Sequence, residues 1–107
     1  MKIFYQCILS VFILLTITSS IYSQQHTIIS YNIRYDNNWD IENSWEIRRS
    51  NIIQMLIKYS PSIIGIQEGL LNQVQYIDSS LINYDYVGVG RDDGKKKGEF
   101  CAIYFDT

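Results

Sequence analysis

Asn32 and Glu68 are the two residues whose types and placement point to chemistry. Asn32 stands near the carboxyl end of a run suited to a strand, His26 to Tyr35, and Glu68 closes a second, Ser62-Ile63-Ile64-Gly65-Ile66-Gln67-Glu68. In parallel sheets ligands collect beyond such ends, so one edge should bring the two side chains together. A carboxylate beside a carboxamide is a hard-oxygen environment suited to Mg²⁺ or Mn²⁺, which keep several waters and take one or two carboxylates from the protein. Zinc is disfavoured, because the chain beyond its first two dozen residues offers one His, His26, and one Cys, Cys101. Each residue also has a plain structural use. Glu68 can neutralise the dipole of a helix beginning near Gly69, and Asn32 can initiate a turn.

The elements that must position this pair follow from periodicity. Residues 26–35 predict a strand, since Ile29, Tyr31, Ile33 and Tyr35 alternate with Ile28, Ser30, Asn32 and Arg34. Asp36-Asn37-Asn38-Trp39-Asp40 is turn chemistry. Ser44 is placed to cap a helix over 45–59 with Ile52, Ile53, Leu56 and Ile57 inward, and Pro61 stops its continuation. Residues 62–68 predict a strand buried on both faces of a parallel sheet, with Glu68 sharing the face of Ile64 and Ile66 and Asn32 that of Ser30. Strand, helix, strand makes a βαβ unit. Leu70, Val74, Ile77 and Leu81 mark a second helix ending near Asn83, and residues 84–89 and 100–105 predict a hairpin around Gly90-Arg91-Asp92-Asp93-Gly94-Lys95-Lys96-Lys97-Gly98. The three lysines read as a solvated loop tip. Cys101, inside Phe100-Cys101-Ala102-Ile103-Tyr104-Phe105, reads as a small buried hydrophobe.

Composition bounds the rest. The 107 residues, 47% hydrophobic and 19% charged, fit one globular domain at most, and the net charge of -2 gives no general pull toward polyanions. A histone-like or ribosomal role is disfavoured on that ground, and any nucleic-acid contact would have to be local. Met1-Lys2, the apolar run from Ile8 to Ile17 and the small polar residues after it have the layout of a secretory signal peptide, with cleavage expected after Ser23 or, second, after Ser20. The apolar run is shorter than the roughly 18 residues of a membrane span. The expected organisation is a signal peptide over 1–23 and one domain over 24–107, secreted or periplasmic, monomeric, and without an internal disulfide because Cys7 lies in the leader. A domain this small buries about 60% of its chain surface, which points to sequence beyond it.

The string Ile29-Ser30-Tyr31-Asn32-Ile33-Arg34 with Asp36, then Trp45 and Arg48, then Pro61 to Glu68, then Gly88-Val89-Gly90-Arg91-Asp92-Asp93-Gly94 and Gly98-Glu99-Phe100-Cys101-Ala102-Ile103-Tyr104-Phe105, resembles the amino-terminal part of the endonuclease/exonuclease/phosphatase superfamily, most nearly its exported bacterial members. Several motifs in the right order are far more specific than a lone Gln-Glu. The resemblance implies the amino-terminal part of a four-layered α/β sandwich (DNase I-like) with a Mg²⁺-dependent or Mn²⁺-dependent hydrolytic site. It makes Asn32 and Glu68 the catalytic and metal-site residues, Glu68 as the ligand and Asn32 orienting the scissile phosphate and the metal. Arg91, Asp92 and Glu99 fall on the rim as substrate-binding candidates. For Arg34, Asp36, Trp45 and Arg48 packing roles are favoured.

The superfamily's remaining motifs, an Asp-x-Asn and a terminal Asp-His pair, lie far downstream in the family pattern, beyond Thr107, and His26 precedes the first strand and cannot replace the terminal His. The resemblance therefore implies half of a phosphoester hydrolase site, truncated and inactive by itself, acting in the whole protein on a nucleic acid, sugar phosphate, inositol phosphate or phospholipid head group. The competing reading is a non-catalytic exported binding module, in which Trp39, Trp45 and the nine Tyr form a surface for a sugar or a protein. Tyr31 and Tyr35, at alternating strand positions, fit a core better.

Overall fold

A computed structural model of the chain describes residues 1–17 and 23–107. The elements run α1 (Lys2–Ile17), β1 (Ile28–Asn32), α2 (Trp45–Tyr59), β2 (Ile63–Gly69), α3 (Leu71–Ser80), β3 (Tyr84–Val87) and β4 (Phe100–Asp106). The apolar amino-terminal run forms α1, and its Ile3, Phe4, Tyr5 and Leu9 are exposed. No helix among the described residues is long and apolar enough to cross a membrane. The stretch over 18–22, which includes the second expected cleavage point after Ser20, lies outside the described residues.

The four strands form one mixed sheet in the order β1-β2-β4-β3. β1 and β2 are parallel, while β4 runs antiparallel to both β2 and β3. The βαβ unit and the hairpin are thus both present, and the hairpin inserts its second strand against β2. This corrects the expectation of a strand buried on both faces: β2 has a parallel neighbour on one side only, and alternate residues along it, Ile64 and Ile66 against Ile63, are buried and exposed.

Both helices lie on one face. Rows across the sheet, Ile29–Ile64–Tyr104–Tyr86 and Tyr31–Ile66–Ala102, point to that side. There they meet Trp45, Ile52, Ile53 and Leu56 of α2 and Val74 and Ile77 of α3. Trp45 packs edge-on to Tyr76 at 5.8 Å, and the buried Tyr104 hydroxyl donates to the Val74 carbonyl at 2.9 Å. Burial pushes the Tyr104 hydroxyl well above the usual tyrosine range.

Local signals account for the helix ends. α2 spans the predicted residues: Glu46 sits in its first turn, Lys58 in its last, and Ser60 adopts a left-handed conformation (φ 41°) ahead of Pro61. Ser44 occupies the capping position, although its side chain makes no capping hydrogen bond. Ile57 is exposed rather than inward, because the contact stripe follows Ile52, Ile53 and Leu56. The first strand ends at Asn32, earlier than residue 35, because Arg34 turns left-handed (φ 56°) and leaves the ladder.

Candidate active site

At the carboxyl ends of the two parallel strands, Asn32 and Glu68 meet. The Asn32 Nδ2 donates to Glu68 Oε1 at 2.7 Å across 36 positions of chain. The amide orientation is fixed from its other end, since Asn32 Oδ1 accepts the Arg34 backbone N–H at 2.9 Å in a local turn.

Strict alternation does not explain this meeting. In register, Asn32 pairs with Gln67, and continued pleating would send Glu68 to the helix-covered side with Ile64 and Ile66. Instead the β2–β4 register slips between Ile66 and Gly69, and Glu68 adopts a left-handed backbone (φ 62°). The bulge turns the carboxylate toward Asn32 and returns Gly69 to the covered side, where a Cβ would lie 3.1 Å from Ile66 Cδ1 and 3.2 Å from Val74 Cγ2. The expectation that Glu68 shares a face with Ile64 and Ile66 is corrected by this bulge. A left-handed non-glycine residue costs about 1–3 kcal/mol, so the surrounding structure must hold it.

Gln73 holds it, and sequence reasoning missed this residue. Its side chain is fully buried. The amide oxygen accepts the backbone N–H of Asp36 at 2.9 Å and of Leu70 at 3.0 Å, while the amide nitrogen donates to the Arg34 carbonyl at 3.0 Å. One side chain therefore ties the segment after Asn32 to the segment after Glu68. The available signal was a Gln at the third position of a helix, where it reaches back to the residue before the helix.

The residues expected to pack do so. Arg48 donates to the carbonyls of Ile33 (2.6 Å), Arg34 (3.1 Å) and Asn43 (2.6 Å). Arg34 pairs with Asp40 at 2.7 Å, and Asp36 accepts from Asn72 at 2.9 Å. Trp45 is buried, and Tyr31 packs against the core. Trp39 is exposed beside Tyr35.

A cleft of about 520 Å³ opens over the pair, lined by Asn32, Gln67, Glu68, Gly88, Val89, Arg91, Glu99 and Cys101. Arg91 and Glu99 thus join the site and bind each other at 2.9 Å. Asp92 does not line the cleft. Its carboxylate lies against Gly98 and 3.6 Å from Arg91, at the base of the loop. Cys101 is exposed in the cleft, correcting its reading as a buried hydrophobe: Phe100, Ala102 and Tyr104 take the covered side of β4, which leaves Cys101 on the other.

The oxygen donors at the mouth of the cleft are of the hard type that suits Mg²⁺ or Mn²⁺. Of the two carboxylates that line the cleft, Glu68 is the one not held in an ion pair, Glu99 being taken by Arg91. Among the described residues no group of three or more His, Cys, Asp or Glu side chains gathers, so other positions around a cation would fall to water or a substrate oxygen.

No family model and no curated protein matches the chain. Among solved structures, it is similar to an endonuclease/exonuclease/phosphatase from Bacteroides vulgatus, at 39% identity and TM-score 0.70, over 75% of this chain and 30% of that one. It is similar to a mannosyl-6-phosphatase from Bacteroides thetaiotaomicron at 42% identity and TM-score 0.74, over 78% and 32%. An endonuclease/exonuclease/phosphatase family protein from Bacteroides thetaiotaomicron matches at 43% identity and TM-score 0.73, over 77% and 30%. The chain spans about a third of the length of these structures. The mixed sheet, the order of its elements and these similarities together show that the chain carries the amino-terminal part of the endonuclease/exonuclease/phosphatase fold.

Proposed function

We propose that this chain supplies the cation-holding half of a phosphoester hydrolase site, with Mg²⁺ or Mn²⁺ as the ion, in a protein exported by its leader. The observation that carries the reading is the 2.7 Å contact of Asn32 with Glu68 at the mouth of the cleft, made possible by the left-handed backbone of Glu68. Similarity to a mannosyl-6-phosphatase supports a phosphate ester as substrate.

In this reading Glu68 holds the cation through its carboxylate. When bound, such an ion polarises a phosphoryl oxygen and screens charge that grows as water attacks. Asn32 orients that carboxylate through one N–H. Its second N–H, without a partner among the described residues, would donate to the phosphoryl group. Arg91, hinged on Glu99, is the group able to clamp a phosphate oxygen bidentately at the rim. The attacking water's base is not among these residues, which agrees with a chain spanning a third of its structural relatives.

The test is calorimetric titration of Mg²⁺ and Mn²⁺ into the chain and its Glu68→Gln variant. The expected result is one cation per chain, with affinity reduced at least tenfold in the variant. Unchanged affinity in Glu68→Gln removes the carboxylate from the role.

A further inference from the structure

The loop Gly90–Gly98 is built rather than slack. The Asp93 Oδ1 accepts the backbone N–H groups of Lys95, Lys96 and Lys97 at 2.8, 2.8 and 2.9 Å, which holds its carboxyl below the usual carboxylate range. Gly90 N–H donates to the Lys95 carbonyl at 3.1 Å, and Asp92 N–H to the Lys97 carbonyl at 3.0 Å. The chain thereby folds back so that a Cβ on Gly90 would overlap the Lys97 backbone. Gly90 stands between Val89 and Arg91, both of which line the cleft. The backbone of Lys97 is therefore held against Gly90, one residue from two that line the cleft, and the lysine side chains are exposed beside it.

Charge accounting sharpens the point. Arg91 is paired with Glu99 and Asp92, and Asp93 is taken up by backbone N–H groups. None of Lys95, Lys96 and Lys97 has a carboxylate partner among the described residues. The loop beside the cleft of an acidic chain thus carries three ammonium groups without a carboxylate partner among the described residues.

We infer that Lys95, Lys96 and Lys97 form an anion subsite that receives a second phosphate of the substrate while the scissile phosphate lies at Asn32 and Glu68. This rests on the phosphoester reading above and narrows it to substrates with more than one phosphate. An ammonium is a point charge without the bidentate fork of arginine, so the subsite senses charge more than shape.

The experiment is fluorescence anisotropy of fluorescein-labelled hexathymidylate on the whole chain across a range of salt, with mannose 6-phosphate and fructose 1,6-bisphosphate as competitors. Replacing all three lysines (K95A, K96A and K97A together) should weaken binding about tenfold and lower the salt slope by about 0.7, as expected for one lost phosphate contact on a single strand. The matching triple arginine variant should bind like the parent, and circular dichroism should show both folded. Displacement by the bisphosphate at concentrations where the monophosphate is inert assigns the subsite to a compact second phosphate. Displacement only by unlabelled oligonucleotide assigns it to a polynucleotide strand. Parental affinity and slope in the triple alanine variant, or equal displacement by the one- and two-phosphate sugars, overturns the inference. Failure of the Glu68→Gln cation test would sink the site reading while leaving this result interpretable, and the reverse also holds.

Discussion

The two faces of the sheet carry the same kinds of residues to opposite ends. On the helix side, Ile29, Tyr31, Ile64, Ile66, Ala102 and Tyr104 make a packed core with α2 and α3. On the open side, Ile28, Ile63, Val87, Ile103 and Phe105 are apolar yet exposed, and toward the carboxyl ends of β1 and β2 that surface gives way to Ser30, Asn32, Gln67 and Glu68. Stability and chemistry are therefore divided by face. The bulge at Glu68 moves one carboxylate from the side where it would be buried and costly to the side where it has room for a ligand.

The largest expected difference between the faces is in packing. Ile64→Ala, at a fully buried position, should cost about 3 kcal/mol in urea unfolding, whereas Ile103→Ala, half exposed, should cost under about 1 kcal/mol. Equal costs would mean that the open face is packed in solution. Next comes Gln73→Leu, which strips partners from two backbone N–H groups and one carbonyl; it should cost about 2–3 kcal/mol and weaken cation binding as the two strand-end segments separate. A loss of stability with cation binding intact would make Gln73 a core residue only.

Glu68→Gly should change stability in the other direction. Glycine accepts the left-handed backbone without strain, so a gain of about 1 kcal/mol in the unfolding midpoint experiment is expected, together with loss of cation binding. A neutral or negative change would mean that the bulge is not strained by its side chain. The smallest effect concerns alkaline pH. The Tyr104 proton is held more tightly in the folded chain than at the ordinary tyrosine value of 10.0, so stability present below pH 10 should fall as pH rises past it. Tyr104→Phe should flatten that decline, as read from unfolding midpoints between pH 8 and 11.

The helix-covered face was legible from sequence because its signals are local and redundant. Ser44, the Ile52–Ile53–Leu56 stripe and Pro61 frame α2, and alternation along residues 28–32 matches the observed exposure. The open face was harder to read. In Phe100 to Phe105 apolar residues occupy both faces, so periodicity could not say that Cys101 faces the cleft. The proximity of Asn32 and Glu68 was foreseen from strand ends. The means was not, because a left-handed glutamate leaves no trace in residue type. Gln73 escaped for a similar reason: its partners are backbone groups of segments far apart in the chain.

The account stands on the carboxylate and the amide at one corner of the open face sharing a cation. Paramagnetic broadening by substoichiometric Mn²⁺ in a ¹⁵N-resolved spectrum of the chain tests this directly. The Asn32 side-chain amide and the backbone amides of Gln67 and Glu68 should broaden first, and the Glu68→Gln variant should lose the effect. Broadening centred on Asp92 and Asp93, with the Asn32 amide sharp, would contradict it.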